Sequence, residues 1–232
     1  MSADLGRLLG EVGAVLLDFD GPVCSIFARY PAPQVAAELV DVLRQHGVNV
    51  PPDLACERDP LDVLRRTGAT GNQEVTRAVE EALCAAERQA AETAEPTPYG
   101  REVIVAACQA GLPVAVVSNN SAGAVTDYLM THRIAGYVRP VVGRAYADPA
   151  RMKPNPEPIL RAAHALGRPP NHCVLVGDSV SDIVGARAAG VRVVGYANRP
   201  PKAGEFAAAG ADITITSTRE FAVSLLGREM GA

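Results

Sequence analysis

The chain has 232 residues, 48% of them apolar, enough for one sizeable core or for a core with a lesser domain beside it. A net charge of -4 argues against a nucleic-acid binder, which needs a basic face, and the absence of Trp with only 4% aromatic residues argues against base-stacking platforms. The apolar run at residues 12–17 is too short to span a bilayer, ends in carboxylates and follows no cationic leader, so the expectation is a cytoplasmic protein without a membrane or nucleic-acid partner.

Residues 12–17 are apolar and partly β-branched and read as a buried strand. From 22 to 95 no convincing strand follows. Helical patterns occupy 33–45, 60–67 and 73–93, the last rich in Ala and Glu, and Pro51-Pro52 and Thr67-Gly68 punctuate them. Glu95-Pro-Thr-Pro98 reads as a return hinge. Helix-length segments at 99–110, 122–132, 156–166 and 182–189 then alternate with short apolar runs at 114–117, 173–176, 191–195 and 213–216. Pro200-Pro201 marks a loop between the last two strands. The alternation predicts an α/β fold: a parallel sheet with right-handed crossovers and helices on both faces, interrupted by an all-helical insertion. The expected division is a core of 1–21 and 96–232 with a cap of 22–95. Five cysteines, Cys24, Cys56, Cys84, Cys108 and Cys173, form no C-x-x-C pair, a pattern of free thiols in a reducing compartment.

Four polar strings carry the candidate chemistry. Asp18-Phe-Asp-Gly-Pro22 follows the first strand, and Gly21 allows a turn that would bring Asp18 and Asp20 toward one ligand. Ser118-Asn-Asn120 offers a hydroxyl and amides after the second strand. Lys153, before Pro154, is one of only two lysines in a chain that otherwise uses arginine. An ammonium there would suit a crowded pocket shared by carboxylates and phosphate. Gly177-Asp-Ser-Val-Ser-Asp182 places Asp178 and Asp182 at a strand-to-helix junction, where hard oxygen ligands suit Mg²⁺. Each string alone also fits a turn or a helix cap. Together, each following an apolar strand, they should project from one edge of one sheet, where α/β folds bind ligands.

With these residues in place the sequence resembles the haloacid dehalogenase superfamily, mostly phosphatases. Asp18 and Asp20 match its first motif, Ser118 its second, Lys153 its third, and Asp178 with Asp182 its fourth. The insertion after the first motif looks like the helical cap of the phosphoglycolate phosphatase and β-phosphoglucomutase branch. Pro22 departs from the usual Thr or Val there. The resemblance implies a phosphomonoester hydrolase acting on a small phosphorylated metabolite. Asp18 would be the nucleophile and Asp20 the acid and base. Gly21, Ser118, Asn119 and Lys153 would hold the phosphoryl group. Mg²⁺ would be held by Asp18, Asp20 through its backbone carbonyl, Asp178 and, directly or through water, Asp182. Arg58, Arg65 and Arg66, on or beside the 60–67 helix, could meet an anionic leaving group. A phosphosugar mutase shares these core residues and stays open, as does a non-catalytic binding protein on the same fold. A dehalogenase would lack Asp20, and a phosphonate hydrolase would need a cap lysine that 22–95 does not contain.

Overall fold

A computed structural model describes residues 3–227. In chain order the elements are α1 (Ala3–Gly10), β1 (Ala14–Leu17), β2 (Cys24–Ser25), α2 (Ala32–Gln45), α3 (Pro52–Ala55), α4 (Pro60–Ala69), α5 (Gln73–Glu92) and β3 (Glu95–Pro96). There follow α6 (Gly100–Gln109), β4 (Val114–Val117), α7 (Ala122–Thr131), β5 (Val138–Val142), α8 (Glu157–Ala165) and β6 (Cys173–Gly177). The chain ends in α9 (Val180–Ala189), β7 (Arg192–Tyr196), α10 (Lys202–Ala209), β8 (Ile213–Ile215) and α11 (Thr218–Leu226).

The large sheet is parallel with the order β5-β4-β1-β6-β7-β8. Counting only its own strands along the chain, this is the doubly wound Rossmann order 3-2-1-4-5-6, whose direction of winding reverses beside the first strand. Side chains on a strand alternate between faces. Val15 and Leu17 of β1 therefore join Val114, Val116, Val174 and Val176 under α1, α6, α7 and α11. Ala14 and Leu16 join Ala115, Val117, Cys173 and Leu175 under α8, α9 and α10. Burial on both faces is why these strands read as unbroken apolar runs.

The insertion has an apolar cluster of its own. Val35, Leu39 and Leu43 of α2 meet Val63 and Leu64 of α4 and Val75, Val79 and Leu83 of α5. The carboxyl end of α5 leaves that cluster, since Ala90 and Ala91 pack with the core, and α5 lies against α7.

Two expectations need correcting. Residues 22–95 are not strand-free, because β2 pairs antiparallel with β3, Cys24 opposite Pro96 and Ser25 opposite Glu95. The return hinge at 95–98 thus begins as half of a two-stranded ribbon. Lys153 does not directly follow a strand: β5 ends at Val142, and a loop with a short 3₁₀ turn at Pro149–Arg151 intervenes. All five cysteines are free. No helix among the described residues is long and apolar enough to cross a membrane.

Candidate active site

The reversal point lies between β1 and β6, and each of these strands ends in an aspartate. Asp18 leaves β1 into a tight turn in which Phe19 O accepts from Val23 N and Cys24 N, and Gly21 N donates to Cys24 O at 2.7 Å. Gly21 has φ +109, and a Cβ there would lie 2.3 Å from Asp178 Cγ. Only glycine meets both demands. β6 delivers Asp178 into α9, whose first turn is closed by a capping box. Ser179 Oγ accepts from Asp182 N, and Asp182 Oδ2 accepts from Ser179 N at 3.1 Å. That reciprocal lock turns Asp182 back toward the strand end. Gly177 makes room for it, since a Cβ there would sit 2.4 Å from Asp182 Cγ.

Lys153 is buried among these carboxylates. Its Nζ donates to Asp18 Oδ1 at 2.8 Å and to Val117 O at 2.7 Å, and lies 2.6 Å from Asp182 Oδ1. Two of the three ammonium hydrogens are thus placed on protein oxygens, while the buried Asp182 Oδ1 is a close ion-pair contact that accepts no hydrogen bond from the described residues. Lys153 thus brings positive charge and one uncommitted hydrogen to the site. Burial acts to lower its pKa, but Asp18 and Asp182 more than offset this and hold it raised. The Asp18 carboxyl is pushed well above the usual carboxylate range, first by burial and then by Asp182. Lys153 pulls it back and Asp178 adds to the rise.

Ligand oxygens of Asp18, Asp178 and Asp182 lie within 4.8 Å of one another. Their remaining capacity differs. Asp182 Oδ2 accepts from Ser179, whereas its buried Oδ1, 2.6 Å from Lys153 Nζ as an ion pair, accepts no hydrogen bond from the described residues. Asp178 has Oδ2 on Lys202 Nζ at 2.6 Å and on Asn198 Nδ2 at 3.0 Å. Asp18 Oδ2 and Asp178 Oδ1 accept no hydrogen bond from the described residues, and neither does the Asp20 carbonyl. A crowded set of hard oxygens, left partly unpartnered where like charges raise each other's pKa, fits a divalent cation such as Mg²⁺. Asp18, Asp178 and the Asp20 carbonyl fit as direct ligands, and Asp182 as the group behind them. Asp20 points its Oδ1 at Ile26 N, 3.0 Å away. Burial lifts its pKa to about 6.

The Ser118 loop lies across the cleft. Ser118 Oγ donates to Asn120 Oδ1 at 3.1 Å. The Asn119 side chain, expected on phosphate, instead clamps the main chain of Lys153. It accepts from Lys153 N at 2.8 Å and donates to Lys153 O at 3.1 Å. The Asn119 N–H has no partner among the described residues and is the donor that remains. Gly21 is corrected in the same way: its N–H is spent on Cys24, so its part is to let Asp178 approach.

The three cap arginines separate. Arg58 and Arg65 line the cleft of about 520 Å³ with Asp18, Asp20, Ser118, Lys153 and Asp178. Arg65 is engaged with Asp62 at 2.5 Å and reaches Lys153 O at 3.4 Å. The Arg58 guanidinium has no partner among the described residues. Arg66 lies outside the cleft, paired with Asp53 at 2.5 Å. The residue that sequence reasoning missed is Lys202. Its signal was present, because it is the other lysine and it opens the helix after β7, at the same sheet edge. Both lysines of the chain thus sit on the aspartates of this site.

The chain belongs to the haloacid dehalogenase-like hydrolase family, whose model matches residues 61–196. The phosphoglycolate phosphatase of Salmonella paratyphi A (strain ATCC 9150 / SARB42) is 37% identical over 98 residues, which are 42% of this chain and 38% of that relative. The match thus spans well under half of the curated relative's length. Among solved structures, a hydrolase from Pseudomonas syringae superposes with a TM-score of 0.65 at 19% identity, over 89% of this chain and 94% of the other. A HAD family hydrolase from Deinococcus radiodurans, with bound phosphate and sodium, gives 0.62 at 22%, over 96% of this chain and 100% of the other. At such identities the likeness is one of fold.

Proposed function

We propose that the protein is a Mg²⁺-dependent phosphomonoester hydrolase that acts on a small phosphorylated metabolite through an aspartyl-phosphate at Asp18. The observation that carries this reading is the cleft-lining carboxylate of Asp18, its Oδ1 pinned by Lys153 and its Oδ2 accepting no hydrogen bond from the described residues. A pinned carboxylate with one open oxygen is a positioned nucleophile. An oxygen of the Asp18 carboxylate attacks phosphorus, the bond from phosphorus to the ester oxygen breaks, and the leaving oxygen takes a proton from the Asp20 carboxyl. Asp20, now a carboxylate, takes a proton from the water that attacks phosphorus in the second step. Inorganic phosphate leaves and Asp18 is regenerated. A pKa of about 6 lets Asp20 hold or release that proton near neutrality. When bound, Mg²⁺ supplies positive charge that offsets the repulsion between carboxylates and phosphate. The Asn119 N–H is an open donor for a phosphoryl oxygen, and the Ser118 hydroxyl serves as a second when its single hydrogen turns from Asn120 Oδ1 to the phosphate. The relative named a phosphoglycolate phosphatase supports a substrate that carries a second anionic group, which the unpaired Arg58 suits.

The test is phosphate release from a broad panel of phosphomonoesters with Mg²⁺. EDTA should abolish it and added Mg²⁺ restore it. Asp18→Asn should lower turnover by at least ~10³-fold, since loss of a covalent nucleophile costs orders of magnitude. Wild-type turnover in that variant, or turnover without metal, rejects the mechanism. Isomerised sugar phosphate in place of phosphate release would mark a mutase.

A further inference from the structure

A second charged cluster is buried where α5 meets the core. Arg144, just past β5, has a fully covered guanidinium, and the Glu80 and Glu87 side chains of α5 are 2% and 0% exposed. Arg144 Nε and Nη2 donate to Glu80, at 3.0 and 2.8 Å to Oε1. Nη1 donates to Glu87 Oε1 at 2.8 Å and to Asn119 O at 2.7 Å. Further contacts run into the loop of the candidate site. Glu87 Oε1 accepts from Asn120 Nδ2 at 3.1 Å, and Glu87 Oε2 from Ser121 N at 2.9 Å. Asn120 Oδ1 accepts from the Ser118 hydroxyl, and Arg144 N donates to Asn120 O at 3.0 Å. Every residue from 118 to 121 is thus tied to the cluster directly or through one side chain.

Plain stabilisation is a poor account of such a cluster. Burying three charges costs several kcal/mol per ion before pairing, and well-packed apolar residues would often do as well. The geometry has a specific consequence instead. Asn120 can hold its amide in only one sense, because Glu87 can accept but not donate. The amide oxygen is then fixed toward Ser118, whose Oγ lies between it and Asn120 N, which donates to Oγ at 3.1 Å. The position of Ser118 Oγ thus follows in part from a carboxylate on the helical insertion.

We propose that Glu87 and Arg144 are positioning residues for the phosphoryl-holding loop. Glu87 sets Asn120, and through it the Ser118 hydroxyl. Arg144 fixes the Asn119 carbonyl and so the peptide plane whose Asn120 N–H holds Ser118 Oγ. Glu80 holds Arg144 but does not touch the loop. This rests on the phosphatase reading and adds to it a link from the cap helix to the phosphate.

The experiment compares Glu87→Gln, Glu80→Gln and Asn120→Ala, reading thermal stability, the inhibition constant of inorganic phosphate, and KM and kcat for p-nitrophenyl phosphate. Both glutamine variants should lose stability. Glu87→Gln should weaken phosphate inhibition roughly tenfold, as expected for one or two misplaced hydrogen bonds, and lower kcat. Glu80→Gln should leave the inhibition constant within about twofold. If Glu87→Gln does not fold, Asn120→Ala decides, since it keeps the ion cluster and cuts only the link to Ser118. It should weaken phosphate inhibition to a similar degree. Phosphate inhibition unchanged in Glu87→Gln or Asn120→Ala, or weakened as much by Glu80→Gln, overturns the proposal. A wild-type protein that neither binds phosphate nor hydrolyses phosphomonoesters would reject the phosphatase reading itself.

Discussion

Asp20 is held in a place that suits its neutral form. Its folded pKa of about 6 lies above the usual value of 3.8. The folded state therefore binds its proton more tightly than the unfolded chain does. The stability this contributes is full below about pH 4 and is lost as pH rises through about 6. Asp20→Asn, which keeps an oxygen for Ile26 N, should then match the wild type near pH 4 in EDTA and exceed it near pH 8 by ~3 kcal/mol. Urea unfolding at the two pH values measures this, and equal stability at both would remove the argument for a perturbed acid. The aspartates and Lys153 were legible in the sequence because their spacing survives without coordinates. The use each one makes of its atoms was not. That Asn119 spends its amide on Lys153, and Gly21 its N–H on Cys24, depends on which groups meet across the fold.

At the level of elements, the start of α9 bears more weight than its length suggests. Its capping box turns Asp182 toward Lys153, so local helix chemistry sets a contact at the site. Ser179→Ala should cost about 1 kcal/mol, the usual worth of a cap, seen by calorimetry as a Tm lower by roughly 2–4 °C. Gly177→Ala should cost more, on the order of 1–3 kcal/mol, because its methyl group would displace Asp182. A Gly177→Ala variant with wild-type stability and turnover would show that Asp182 has room to shift. The buried strands were readable from their apolar runs, whereas β5 was not. Its Val-Arg-Pro-Val-Val carries a proline and a charge, as edge strands can, and it lies at the sheet edge. Short helices such as α1, α10 and α11 were missed because eight or nine residues give a helical period little room to show. The Ala- and Glu-rich pattern of α5 identified a helix, but two of its glutamates point inward against the ordinary habit of that residue.

Across the whole molecule, the core provides the reacting groups and the insertion provides the far wall of the cleft. Arg58 is the one cap arginine with an unpaired guanidinium there, while Arg66 is committed to Asp53 outside it. Arg58→Ala should raise KM roughly tenfold for a phosphomonoester with a second anionic group and leave p-nitrophenyl phosphate within about twofold. Arg66→Ala should change neither. Equal losses on both substrates in Arg58→Ala would assign Arg58 to the phosphoryl group rather than to the leaving group. Composition pointed to arginines on this wall. Choosing among the three required the partners that occupy the others.

The ribbon of β2 and β3 has a consequence for how such a molecule can change. The chain departs from the core and comes back at two points joined rung to rung, Cys24 to Pro96 and Ser25 to Glu95, about 5 Å apart. To the six parallel strands the entire excursion is equivalent to a hairpin turn. A foreign segment whose ends converge on one such rung could be spliced there without disturbing the strand register, so recognition could be exchanged while the reaction stays put. One tether limits that freedom: a replacement must bring two carboxylates to Arg144, or else remove the arginine as well.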